Sequence, residues 1–250
     1  MKKVLFLIPL LFLTTSCGNN SNSNNLKYEL KADNTYRVFL SETSEAKSIT
    51  IPKTYNSKDV SEISGFRNND YLEKVKFYGN IKKVEDGTFS FCQKLKSITV
   101  SNSDYYSSTD GVLYQDDYLI CYPSGKTDKE YIISKSIKSK AFTLCPKLEK
   151  VTLHSKIVEE NAFYYLENLA TIVLVDGVED VRDNFFYGNT IEKLIIKNKD
   201  ITGKININYA KKVYAKEYVS LSNKTKTHYE KINVTKIDDE VYEVYGLKEE

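Results

Sequence analysis

The sequence predicts a repeat solenoid, a stack of short coils sharing one elongated core. Three observations predict it. An apolar spacing of 0, 3, 6, 9 and 11 residues recurs five times, opening each time on a phenylalanine: Phe66, Phe89, Phe142, Phe163 and Phe185. These phenylalanines lie 23, 53, 21 and 22 residues apart, so three gaps are one period and the long one is a period plus about 30 residues. A fixed period in the twenties marks stacked repeats. Each copy also ends in alternation, as in Leu95, Ile98, Val100, which is the pattern of a half-buried strand.

The chain has 250 residues. Lys2, Lys3 and the apolar run Val4 to Leu13 read as an export signal over residues 1–16, because that run is too short to span a bilayer. Thr14-Thr15-Ser16-Cys17 resembles the bacterial lipobox, with Thr14 where that motif prefers leucine and Leu13 one step out. The resemblance implies lipid attachment at Cys17. Several acyl chains, at roughly 0.8 kcal/mol per buried CH₂, make a stable anchor. Residues 17–26 are rich in Asn and Ser and read as a tether. Taking Lys2 and Lys3 from 36 basic residues leaves 34 against 34 acidic ones, a balance that argues against a nucleic-acid partner.

Residues 27–45 alternate around Asp33-Asn34 and predict a hairpin capping the first coil. The solenoid then spans 46–215. It opens on a weak copy (Leu40, Ala46, Ile49, Ile51) and stacks its strands into a parallel sheet about 4.8 Å apart. Asp86, Ser139, Asn161 and Asp183 sit where they would cap a short helical turn carrying each Phe. Phe186, rather than Phe185, keeps the spacing from Val181, so the register slips by one in the last copy. Residues from about 102 to 133 predict a hairpin projecting from the stack, built on 110–114 and 118–123. Residues 216–250 predict a closing cap.

The strings T-F-S-F-C-Q-K-L-K-S-I-T-V and A-F-T-L-C-P-K-L-E-K-V-T-L resemble the BspA-like branch of the leucine-rich-repeat proteins, as do S-I-T-I-P at 48–52 and D-G-V-L-Y at 110–114. Asn69, Leu166 and Gly188 depart from the usual Cys. The resemblance implies a leucine-rich-repeat solenoid with a curved parallel sheet, short helical turns on the other side and a cap at each end. It also implies a bacterial cell-envelope protein, lipid-anchored and surface-exposed, that serves adhesion to host or other cells. The other reading is an interaction protein inside the envelope.

No enzymatic constellation is visible. His154 and Ser155 are strand neighbours and face opposite ways, no G-x-S-x-G elbow occurs, and the glycines are scattered. No cofactor and no metal site is expected: there is no C-x-x-C, and His154 and His228 are far apart. Cys92, Cys121 and Cys145 remain after Cys17, an odd number. Cys92 and Cys145 share a repeat position and read either as small core residues or as a disulfide between coils. Tyr105, Tyr106, Tyr114, Tyr118 and Tyr122 crowd the insertion and read either as packing or as an aromatic binding patch. Strand alternation names the outward sheet face: Lys74, Lys76 and Tyr78; Ser97, Thr99 and Ser101; Lys150, Thr152 and His154; Thr171, Val173 and Val175; Lys193, Ile195 and Lys197. Val173 and Ile195 stand out as exposed apolar neighbours beside lysines. This face, on a monomer, is expected to bind an extracellular or envelope protein or glycan.

Overall fold

The computed structural model describes residues 25–182, 184–188, 190–198, 210–216 and 229–247. The expected export signal, Cys17 and most of the expected tether lie outside them, as does Asp183. The chain forms a β-solenoid whose coils each contribute to up to three stacks of parallel strands. The main stack is split. Its first part is Ser48–Thr50, Lys74–Tyr78 and Ser97–Ser101, in register from Ile49 to Val75 to Ile98. Its second part runs Glu130–Ile133, Lys150–Leu153, Thr171–Leu174, Ile191–Ile196 and Ala210–Ala215. A second stack of short strands returns the chain: Ser136–Ile137, Ile157–Val158 and Asp180–Val181. The third is the phenylalanine ladder, Phe142–Thr143, Phe163–Tyr164 and Phe186–Tyr187.

The register follows from burial. Each repeat alone is too small to hide its apolar side, and stacking makes one ladder per position. Phe66, Leu72, Val75 and Phe77 are fully buried, as are Phe142, Leu148, Val151 and Leu153. Phe142 and Phe163 stack at 4.9 Å, and Phe66 meets Phe89 edge-on at 5.6 Å.

The expected helical turns are absent: no helix occurs among the described residues. Two left-handed residues enclose each ladder phenylalanine. Lys140, Asn161 and Asn184 precede by two residues, at φ 56° each, and Leu144 (45°) and Tyr165 (54°) follow by two. A right-handed turn cannot include such residues. The extended dipeptide between them bonds to the next coil instead, with Phe142 N donating to the Ala162 carbonyl (3.0 Å) and Phe163 N to that of Phe185 (2.9 Å). Asn161, expected as a helix cap, is one of these corner residues. The slipped copy resolves in the same ladder. Phe186 pairs with Phe163, Leu194 pairs with Ile172, and the missing residue falls in the corner between them.

The insertion does not project. It forms an antiparallel meander, Ser107–Thr109, Val112–Gln115 and Tyr118–Cys121, and the last strand pairs in parallel with Ser136–Ile137 in the second stack. Tyr122 then bridges to Phe142 and stacks on it at 4.9 Å. From Tyr122 the repeat spacing runs Tyr122, Gly125, Asp128, Tyr131, Ile133, and the register pairs Tyr131 with Val151 and Ile133 with Leu153. Residues 118–133 are therefore a coil of the solenoid in disguise. The Tyr122 hydroxyl donates to Asp128 Oδ2 at 2.7 Å, so a Tyr–Asp pair stands where other coils place Phe and Leu. Gly125 replaces Cys because a Cβ there would come within 2.6 Å of the Lys94 carbonyl carbon.

The meander divides the interior in two. Val112 and Leu119 belong to the core that runs from Ile133 to Ala215. Leu113, Ile120 and Cys121 belong to the core that runs from Leu26 to Ile98. At the N-terminal end, Leu26–Leu30 and Tyr36–Leu40 form an antiparallel hairpin, and the second of these pairs with Lys58–Ser64. At the other end, Glu240–Leu247 pairs antiparallel with Ala210–Ala215 and with Tyr229–Ile237.

Candidate functional site

The outward face of the main stack is polar at its N-terminal end. Lys74 and Lys76 are exposed, and Lys76 Nζ lies 5.3 Å from the centre of the Tyr78 ring, with Lys53 Nζ at 5.5 Å. A cation near a ring in this way holds the ring without burying it. In the second part of the stack, Lys150 pairs with Glu130 (3.0 Å), Thr152 is half-buried and His154 is exposed. Ser155 faces inward, fully buried, and its hydroxyl donates to the Ile133 carbonyl (3.4 Å), so it does not face His154.

Two residues expected on this surface are not on it. Val173 and Ile195 are 6% and 8% exposed. The C-terminal hairpin lays Tyr242 over them, with Val175, Tyr214 and Ile237 packed around. The physical reason is the one that makes such a pair conspicuous in sequence: adjacent β-branched residues on an outward face are worth burying. Lys197 pairs with Asp238 of the same hairpin at 2.9 Å, while Lys193 stays exposed. The face expected from Lys74 to Lys197 is thus closed at its C-terminal end.

The large apolar side chain that is exposed on this face is Ile132, at 69%. It belongs to the disguised coil and pairs in register with Thr152, which in turn pairs with Val173. Reading the coil from Tyr122 would have found it, ten residues on.

The insertion's tyrosines are mostly packing. Tyr106 is buried and its hydroxyl accepts from Val84 N at 2.8 Å, and Tyr114 and Tyr131 share a hydroxyl contact of 2.9 Å. Lys138 lies over Tyr118 at 4.4 Å, and Tyr105 is exposed. Cys92, Cys121 and Cys145 are free and buried. Burial pushes the Cys92 thiol up to about 11 and raises the other two, which leaves them inert as nucleophiles. The Cys92 thiol donates to the Phe66 carbonyl at 3.0 Å. Asn69, at the same repeat position, is satisfied on both sides, donating to the Ser44 carbonyl and accepting from Leu72 N.

The most concentrated charge lies away from the sheet face. Glu62, nearly buried, meets Arg37 at 3.0 Å, Lys83 at 3.2 Å and Lys31 at 3.3 Å. Burial alone would raise its pKa, but the three cations together hold it below the usual carboxylate value.

Comparison with known proteins bears on the whole chain. The family model described as the BspA type leucine-rich-repeat region matches residues 15–115 and 135–244, in six copies. The stretch it passes over contains the disguised coil. A comparison with curated protein sequences finds no match. Among solved structures, the pneumococcal vaccine antigen PcpA is 22% identical, with a TM-score of 0.50 over 68% of this chain and 55% of that one. The chain thus spans about half the length of that antigen structure. A leucine-rich-repeat protein from Eubacterium ventriosum is 15% identical, with a TM-score of 0.45 over 74% of this chain and 80% of that one. A leucine-rich cell surface protein from Faecalibacterium prausnitzii is 15% identical, with a TM-score of 0.34 over 77% and 92%. The likeness to the antigen is of fold.

Proposed function

Because the chain belongs to the BspA-type leucine-rich-repeat family, we propose that it is a non-enzymatic binding protein of the bacterial envelope. In this reading a lipid at Cys17 anchors it, and the N-terminal and middle parts of the sheet face are presented for adhesion. Repeat proteins of this kind offer extended surfaces for partners. A pneumococcal antigen and a cell surface protein among the similar structures support the placement outside the membrane.

The observation that carries the reading is Ile132. A β-branched side chain left 69% exposed on the sheet face, in line with Thr152, gives that face an apolar point of contact for a partner. Exposed Lys74 and Lys76 on the same face favour an acidic protein segment over a basic one. The test is a pull-down from host-matrix and envelope fractions, with Ile132→Asp and Lys76→Glu combined. The double change is expected to leave the far-UV spectrum and melting midpoint as they were and to weaken retention about tenfold or more. Undiminished retention would rule this face out.

A further inference from the structure

The outward corner beside the phenylalanine ladder carries features that neither packing nor the sheet face accounts for. Two residues after each ladder phenylalanine the backbone is left-handed. Asn68 (φ 60°) and Gly188 (112°) take that conformation readily, but Phe91 (62°), Leu144 (45°) and Tyr165 (54°) occupy the same position. A bulky residue held there costs on the order of 1–3 kcal/mol. Asn68 holds this position without a bulky side chain, and Gly188 leaves room for the Tyr165 ring, which a Cβ there would meet at 2.7 Å, so the cost at Phe91 and Tyr165 is tied to what their side chains present.

They present rings. Tyr164 and Tyr187 stack at 5.1 Å, Tyr165 stands across them at 4.7 and 5.7 Å, and Phe91 extends the row at 6.0 Å from Tyr164. Tyr165 and Tyr187 remain 38% and 47% exposed. At the corner that precedes the ladder, where Asn161 stands three residues before Tyr164, is a groove of about 520 Å³ lined by Ser139, Glu159, Glu160, Asn161 and Arg182. Lys140, next to the groove residue Ser139 in sequence, places its Nζ 5.9 Å from the centre of the Tyr164 ring. Charge is balanced around it. Glu159 pairs with Lys138 (2.8 Å) and Arg182 with Asp180 (2.7 Å), which leaves Glu160 against Lys140.

We infer that this corner binds a neutral polysaccharide, a chain of uncharged pyranose rings. Such a ligand has apolar C–H faces for the tyrosines and a dense set of hydroxyls for the amide, carboxylates and guanidinium of the groove. The balanced charge gives no purchase to a polyanion or polycation, which sets this ligand apart from the acidic segment suited to the sheet face. The site lies off that face and does not depend on it.

The test is native affinity electrophoresis of the full chain, with cellohexaose, maltohexaose, laminarihexaose, chitohexaose or polygalacturonate immobilised in the gel. The wild type is expected to be retarded by at least one of the four neutral sugars and not by polygalacturonate. Tyr165→Asn, which installs the residue found at position 68, is expected to lower that retardation about tenfold or more while its melting midpoint holds or rises. Ile132→Asp with Lys76→Glu is expected to leave the retardation intact. Four results would each overturn the inference: no retardation by any neutral sugar, retardation by polygalacturonate alone, full retardation of Tyr165→Asn, or a lowered midpoint in that variant. The last would show that the rings are kept for packing.

Discussion

At the scale of single residues, the solenoid core accepts a polar pair where its members match. Tyr122 with Asp128 is one such pair: the hydroxyl reaches 2.7 Å to the carboxylate, which stands where other coils have leucine. Tyr122→Phe is expected to cost about 1 kcal/mol, since the bond is to a charge but Asp128 is partly wet. Adding Asp128→Leu should recover that loss, and a double-mutant cycle by urea denaturation measures the coupling. Phe142, stacked between Tyr122 and Phe163, has no such partner to exchange, and Phe142→Ala should cost about 3–5 kcal/mol in the same assay. Glu62 sets the response to acid. Its folded pKa is depressed, so the stability it contributes is complete above its ordinary value of 4.5 and is lost as pH falls through the lower, folded value. Glu62→Gln should therefore flatten the dependence of the melting midpoint on pH below about 4.5, relative to wild type.

At the scale of elements, the phenylalanine-led strands were legible because both their period and their alternation survive in sequence. The hairpin around Asn34 was legible for a similar reason, a turn residue at φ 66° between two alternating runs. The coil at Tyr122 was not, because four of its five marker positions carry other residues: Tyr122 for Phe, Gly125 for Cys, Asp128 for Leu and Tyr131 for a branched aliphatic residue. Tyr122 and Asp128 answer to each other, and Gly125 answers to Lys94, a neighbour distant in sequence. The corners read as helical because Asn and Ser cap helices, yet the same residue types also take left-handed turns. Bonding between coils chose the second. On the outward face, alternation named the residues but could not show that Tyr242 would cover two of them. Two outcomes follow for these elements. Val173→Asp places a charge beneath Tyr242 and should detach the C-terminal hairpin, seen as early hydrogen exchange across Glu240–Leu247. Replacing residues 104–130 by a short linker should unfold the protein rather than trim it, since a coil and the divide between the cores go together.

At the scale of the whole molecule, the two cores are divided by Val112–Gln115 and Tyr118–Cys121. Stability in such a stack is a sum of neighbour terms. Leu72→Ala should thus lower protection first in the part built from Leu26 to Ile98, and Leu148→Ala first in the part from Ile133 onward, each at about 2–5 kcal/mol by local hydrogen exchange. Anchoring is tested separately. Cys17→Ala should yield a longer precursor that takes up no labelled fatty acid, and equal labelling of mutant and wild type would remove the anchor from the proposal.

The strands that keep the two interiors apart also fix an address within an otherwise uniform lattice. A stack of near-identical turns has little to stop one turn from slipping into its neighbour's place. Here Gly111 and Gly125 leave no room beside Lys94, Lys96 and Ser97 for any other residue, so the sixteen-residue coil that follows has a single seat. Every later turn is counted from that seat, which places Ile132 and Tyr165 at constant heights along the axis. Lengthening the protein by whole periods beyond Ile196 would move the C-terminal hairpin outward and leave both surfaces where they are.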